Sequence, residues 1–474
     1  MDLFGGDSCS TESDEGDDAP VPTIEPAAKA PVAAPPSAAL PTTGDAPLSR
    51  EFLAADDAEG QNLFAVAPPL PPMPHAELDA AVSTRQELHS PFPPCAIECL
   101  HLRQWAASSS DDGEAPHLVA CGTYKLVEAD EATGTVAARR EGKLVLYSSE
   151  TSGDGSPHGQ LEQRAVTDTP AILDLKWARL AGGRPGIVTA GADGTLRAWS
   201  VDARGEEVAL LSEVTVVDRA TLSLAVDWNE HSVAKDGIAS SHHDGSLSVA
   251  RLRPDGLALE RNWAAHAHGG ALIGGHAAEV WTVAWARHAE HTLFSGAEDA
   301  TLKMWDVRSA TLCKATRPGS FDAGVTSIAP HPTREYALAV GSYDGCIRMW
   351  DTRALRAPTA TFAGGGGVWR LKWHPDTARP LLLAACMRGG CHVISTVPER
   401  AGAERPGARW SMRPAASYAE HGADALAYGV DWLDVSGGGG ESVEGGGWSA
   451  TVCSCSFYEH SVRLWSARSA SAAS

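Results

Sequence analysis

Three sets of side chains in this 474-residue sequence have types and spacings that chemistry could use. The first is a series of acids, Asp193, Asp244, Asp299, Asp344 and Glu459, each opening a short run that turns apolar (DGTLRAW, DGSLSVA, DATLKMW, DGCIRMW, EHSVRLW). A carboxylate placed this way could act as an acid or base. In a tight turn, however, Asp accepts backbone N–H bonds and tolerates the geometry, and that structural role is the stronger reading. The second set is histidine: His266-Ala-His268 and His242-His243-Asp244. Alternate residues of a strand share a face, so such pairs could bind a metal. Neither pair comes with a cysteine or carboxylate framework, so no metal site is expected. The third is Cys453-Ser-Cys455, two sulfurs pointing the same way without CxxC spacing. GSYDG at 341–345 has its serine one place early for a GxSxG elbow, and no phosphate loop or dinucleotide fingerprint is found. Spacing alone reads as a binding platform.

The elements that would carry these residues repeat. SGAEDATLKMWD (295–306) and VGSYDGCIRMWD (340–351) match with their turn acids 45 residues apart, and both end on Trp-Asp. Weaker copies are marked by Asp193, Asp244, Arg388 and Glu459, and a degenerate one by Glu141. A second phrase, a strand ending in tryptophan, keeps step with them at Trp177, Trp228, Trp285, Trp373 and Trp432. Trp-Asp at this period is the signature of WD40 blades, which bury both sheet faces only by stacking around a ring. The count predicts an all-β, seven-bladed WD40 β-propeller over 91–467, with its tryptophans packed between blades. His331-Pro332 and His374-Pro375 are read as turns between first and second strands. The last blade lacks an outer strand, so a segment near 76–100, including Ala96–Leu100, is expected to supply a strand and close the ring.

Ahead of the ring, 1–90 reads as a disordered tail: seven acids and no base in the first twenty residues, then Pro/Ala-rich runs that cannot offset their ordering entropy. A glycine-rich run, 436–447, is read as a loop insertion in blade seven, and 468–474 as a disordered end. The formal charge of −22 argues against nucleic acid or anionic membrane as main partner and favours a cationic one. No signal peptide or bilayer-length apolar run is visible, and the ten scattered cysteines read as reduced, so a cytoplasmic protein is expected.

Several stretches are more specific than blades require: HLVACGTYKL (117–126), TPAILDLKW (169–177), HPTREYALAVGSYDGCIRMWDTR (331–353), GGGGVWRLKWHPDTARPLLLAACMRGGCHVI (364–394), AYGVDW (427–432) and CSFYEHSVRLW (455–465). Together, in order, they resemble the WD40 family of diphthine methyl ester hydrolases, also called diphthine methyltransferases, of diphthamide biosynthesis. The resemblance runs from about Ala96 to Trp465 and departs in the acidic N-terminus and the glycine-rich insertion. It implies an enzyme that removes a methyl ester from the intermediate built on a histidine of translation elongation factor 2, with water as nucleophile, methanol leaving and no cofactor. The family's catalytic residues are not carried over.

The implied substrate bears a trimethylammonium group, which wants aromatic faces and nearby negative charge. In a propeller the d–a and b–c loops share one face. That places Trp281, Tyr343, Trp369, Tyr428 and Tyr458 near the rim, with Asp344 and Glu459, as substrate-binding candidates. His276 and His421 are loop candidates for the base, and Arg370 for the oxyanion donor. Any one of these residues alone reads first as packing or a solvated loop. A runner-up reading starts from the boxes Trp305-Asp-Val-Arg308 and Trp350-Asp-Thr-Arg353. They resemble those of substrate receptors that dock on the adaptor of cullin-RING ubiquitin ligases, making Arg308 and Arg353 the docking pair of a non-enzymatic scaffold or receptor.

Overall fold

A computed structural model of the chain describes residues 80–100, 116–127, 139–149, 160–232, 234–268, 277–399, 405–421, 425–433 and 448–469. These form seven antiparallel sheets, and the only helical element among the described residues is a 3-10 turn at Ala181–Gly183. Each blade runs outward from an innermost strand. The inner strands are Pro94–Leu100, Ile172–Arg179, Ser223–Trp228, Val280–Trp285, Val325–Pro330, Arg370–Trp373 and Ala427–Trp432. Each packs on the next, and the seventh packs on the first, so the ring closes.

Closure comes from the N-terminal side. Ala80–His89 pairs antiparallel with Ser461–Ser469, from Ala80 against Ser469 to His89 against Ser461, and so completes blade seven. This corrects two boundaries: the strand Ala80–His89 lies inside the segment assigned to a tail, and the last strand runs to Ser469. Ala96–Leu100 belongs to the inner strand of blade one instead. The rest of the expected tail and the glycine-rich insertion lie outside the described residues.

Short polar side chains link the inner strands. Asp174 accepts the Val226 N–H, Asp227 that of Trp285, Ser327 that of Leu371 and Asp431 that of Cys99, at 2.7–3.1 Å. The strand-ending tryptophans run the other way: Trp177, Trp373 and Trp432 donate Nε1–H to the Glu98, Ala329 and Lys372 carbonyls of the preceding blade. These buried groups are thus satisfied between blades, which ties each sheet to the next, although the strand-ending Trp228 and Trp285 make no such bond. In the His-Pro turns the ring does the capping: His331 Nδ1 accepts from Thr333 and Arg334, and His374 Nδ1 from Asp376.

The turn acids also have fixed partners. Asp193, Asp299, Asp344 and Glu459 each pair with the cation four residues on: Arg197 at 2.6 Å, Lys303 at 3.6 Å, Arg348 at 2.8 Å and Arg463 at 3.5 Å. The residue after the acid has positive φ, 69° at Gly194 and 80° at Gly345, but also 55° at Ala300 and 51° at His460. The acid's bonds to the turn hold two side-chain-bearing residues in a region they disfavour. Glu141 is not such a marker. It lies within Arg139–Ser149 opposite Lys125, because blade one extends its b–c hairpin through Lys125–Val127.

Candidate active site on the loop face

The face carrying the b–c and d–a connections holds a run of aromatic rings. Tyr124 meets Phe457 at 6.4 Å between centroids, Phe457 meets Tyr428 at 5.4 Å, and Tyr428 meets Trp369 at 5.2 Å. Tyr458 stands edge-on to Phe457 at 5.2 Å and is exposed. A second pair, Trp281 and Tyr343, has centroids 6.3 Å apart. Two glycines admit these rings. A Cβ on Gly324 would come within 2.2 Å of the Trp281 ring, and one on Gly367 within 3.0 Å of Met387 Sδ and 3.3 Å of the Tyr343 ring. The run GGGG at 364–367 therefore lets blades five and six approach under the rim.

Inside the rim lies a ring of charge. Arg370 of blade six reaches Asp174 of blade two at 3.2 Å. Glu98 of blade one takes Lys176 at 2.8 Å and also Lys372. Lys372 stands 3.6 Å from Asp431. Burial pushes the Glu98 carboxyl up, but the two ammonium groups outweigh it and hold it down to about 2. Burial works against the charge on Arg370, and Asp174 and Glu98 outweigh it, so its affinity for the proton rises. Asp227 and Asp431, less fully compensated, are pushed up by burial to about 6. The guanidinium is thus fixed by a carboxylate from across the ring and keeps further N–H donors, as an oxyanion site requires.

The sequence-chosen residues separate into groups. Trp281, Tyr343, Trp369 and Tyr458 reach the rim and Arg370 sits inside it, whereas Tyr428 is buried against Trp369 and Phe457. His276 lies outside the described residues. His421 does not fit a base: its Nε2 is 3.0 Å from Ser454 Oγ, which also accepts Trp465 Nε1–H at 3.1 Å, and its ring is T-shaped against Tyr418. Burial and the Arg463 guanidinium lower its pKa to about 4. Blade four repeats the relay with His266, Ser295 and Trp305, its Nδ1 on Asp299. The recurrence in two blades marks a packing device. Asp344 is corrected likewise: its side chain is 2% exposed and bonded to Arg348 and the Cys346 N–H. Glu459 serves the same turn role, toward Arg463 and Ser461.

His242 is buried among Ser223, Ser240 and Ser248, within 3.3 Å of each. Among the described residues no three His, Cys, Asp or Glu side chains converge as metal ligands. Arg308 and Arg353 end third strands of blades four and five, on the opposite face, each forked onto its own box aspartate, Asp306 or Asp351.

Four features escaped the sequence. Asp174 looks like any inner-strand acid, and only ring closure brings it to Arg370. Tyr124 and Phe457 lie in plain strand and turn phrases. The fourth is a pair: His243 Nδ1 lies 3.0 Å from Glu279 Oε1, and Glu279 Oε2 accepts Trp281 Nε1–H at 3.1 Å. Glu279, two residues before a rim tryptophan, was the available signal.

Among the described residues no helix is long and apolar enough to cross a membrane. The family described as "WD domain, G-beta repeat" matches residues 271–306 and 312–351. A Dictyostelium discoideum protein named diphthine methyltransferase homolog is 30% identical over 374 residues, 74% of this chain and 93% of its own. The human diphthine methyltransferase is 31% identical over 343 residues, 67% of this chain and 69% of its own. That of Schizosaccharomyces pombe is 26% identical over 346 residues, 73% and 89% of the two chains. With identity of this extent running along nearly the whole of one relative, and seven blades of which two end in Trp-Asp, the chain belongs to the WD40-repeat diphthine methyltransferase family.

Proposed function

We propose that this protein hydrolyses the methyl ester of methylated diphthine on a histidine of translation elongation factor 2, freeing the carboxylate for amidation to diphthamide. The observation that carries the reading is the loop face itself: a family-specific GGGGVWRLKW stretch brings Trp369 to the rim and Arg370 directly inside it. Trp369, backed by the buried Tyr428, and the Trp281–Tyr343 pair offer rings to the trimethylammonium, within a strongly acidic chain. Arg370 donates N–H to the carbonyl oxygen as it becomes an oxyanion, already oriented by Asp174. Water attacks the carbonyl carbon, the acyl–oxygen bond breaks, and methanol leaves. The relatives' name denotes methyl transfer. Forming the ester would need a methyl donor, whereas cleaving it needs only water.

The test is mass spectrometry of elongation factor 2 bearing the methylated intermediate, incubated with this protein alone. Loss of one methylene's mass with methanol released supports hydrolysis. No change beside a well-folded propeller, or a mass gain on the demethylated factor with S-adenosylmethionine, refutes it.

A second reading attaches to the opposite face. Arg308 is two-thirds exposed, and with Arg353 it marks adjacent blades four and five, where a propeller adaptor of a cullin-RING ligase could dock. That surface leaves the rim clear, so a scaffold or receptor role would coexist with hydrolysis. Co-purification of the adaptor that survives substitution of both arginines would dismiss it.

A further inference from the structure

Ester hydrolysis needs a group that takes a proton from water, and the histidines chosen from sequence do not provide one in the described structure. We infer that His243, held by Glu279, is this base; the inference rests on the hydrolase reading above. Three observations carry it. First, the pair spans blades three and four on the loop face, His243 from a b–c turn and Glu279 from the approach to an inner strand, with Nδ1 3.0 Å from Oε1. Second, Glu279 is not a mobile surface acid. Its side chain is 17% exposed, and its other oxygen is fixed by Trp281 Nε1–H, on a ring that rests against the Gly324 backbone. Third, the other rim-side histidines of the described structure differ from His243. His460, in the b–c turn of blade seven, faces Lys125 and His89, and burial together with their charges disfavours a protonated ring. His242 and His421 are buried against hydroxyls, His266 is fully buried between Asp299 and Ser295, and His392 is bonded to Ser417 and the Gly364 carbonyl. His268 pairs with Glu298 but is nearly half exposed, which leaves its carboxylate screened by water.

The chemistry balances without a further reagent. Glu279 keeps the proton of His243 on Nδ1, which leaves the lone pair on Nε2. Nε2 takes a proton from water while the oxygen bonds to the ester carbon. As the tetrahedral intermediate collapses and the carbon–methoxy bond breaks, the imidazolium returns that proton to the leaving oxygen, giving methanol. Glu279 stabilises the cation formed between the two steps and is a positioning residue. Trp281 joins this dyad to the ammonium-binding rim, so one element would place both ends of the substrate.

The experiment measures methanol release from the methylated factor by the full chain, comparing wild type, His243→Ala, His243→Gln, Glu279→Gln and His268→Ala, with folding checked by circular dichroism. The expected result is a kcat loss of roughly 10²- to 10⁴-fold in both His243 variants with KM little changed. Added imidazole should restore turnover in His243→Ala alone, a rescue that a packing role would not give. Glu279→Gln should fall between, and His268→Ala should match wild type. Near-wild-type turnover in either folded His243 variant, or a loss in His243→Ala that imidazole does not relieve, overturns the dyad while leaving the hydrolase reading intact. An inactive wild type instead removes the hydrolase reading on which the dyad depends.

Discussion

Replacing Glu98 by Gln should destabilise the ring by an amount that depends on pH in a defined way. Glu98 is 6% exposed and faces two lysines from blades two and six. Its carboxyl is held at about 2 against an ordinary 4.5, a difference of about 2.5 units, or about 3 kcal/mol at 1.36 kcal/mol per unit. The sign follows from linkage: a depressed carboxyl pKa contributes stability that is full above the unfolded value and lost as pH falls toward the folded one. Glutamine also leaves Lys176 and Lys372 with less compensation for burial, which independently costs about 3–5 kcal/mol when a buried pair is broken. The two estimates describe one interaction and are not added. The assay is urea unfolding of wild type and Glu98→Gln from pH 7 downward. The gap between them should stay flat from pH 7 to about 4.5, then shrink by about 1.4 kcal/mol per unit below that. A gap under about 0.5 kcal/mol at pH 7, or one that does not narrow below 4.5, would refute the claim that this carboxylate anchors the inner ring.

Three further outcomes test the site. Arg370→Ala, if folded, should lose methanol release; full hydrolysis by a folded variant would remove the residue from the site, since Asp174 fixes the guanidinium where the oxyanion is placed. His421→Gln should behave oppositely: with Ser454 losing a partner, unfolding free energy should drop by about 1–3 kcal/mol, while kcat per folded molecule holds. A kcat collapse at unchanged stability would return His421 to the catalytic list. Trp369→Ala should act on binding, raising KM for the trimethylated substrate by roughly 5- to 30-fold, as expected for about 1–2 kcal/mol of cation–π attraction. An equal rise with a substrate lacking the ammonium would mean that Trp369 only packs on Tyr428.

Why the blades were readable and parts of the site were not follows from the distance over which each is built. The acid–cation pairs, the strand-ending tryptophans and the turn glycines act within one hairpin, so their spacing appears in the sequence. The strand that closes blade seven was foreseen because an incomplete sheet demands a partner. Its place within 76–100 was foreseen as well, but not its bounds, because AAVSTRQELH alternates half-buried and exposed residues and has little apolar content to mark them. Glu141 misled for the converse reason: a longer hairpin keeps the blade phrase but moves the turn away from it.

The rim aromatics were legible because each follows a loop phrase of known orientation. The polar half was not, because its contacts join residues of different blades: Arg370 to Asp174, and His243 to Glu279. A repeat makes every blade's histidine look alike in sequence, and only the partner distinguishes them. His421 meets Ser454 and the Tyr418 ring, with the turn acid Glu459 of its own blade 3.9 Å away, and becomes packing, whereas His243 meets a carboxylate of the next blade that is itself tied to the rim. In a ring of near-identical units, chemistry is therefore to be sought where one unit breaks the shared contact pattern. Glu279 is such a break: it joins a neighbouring blade's histidine to a rim tryptophan through its two oxygens.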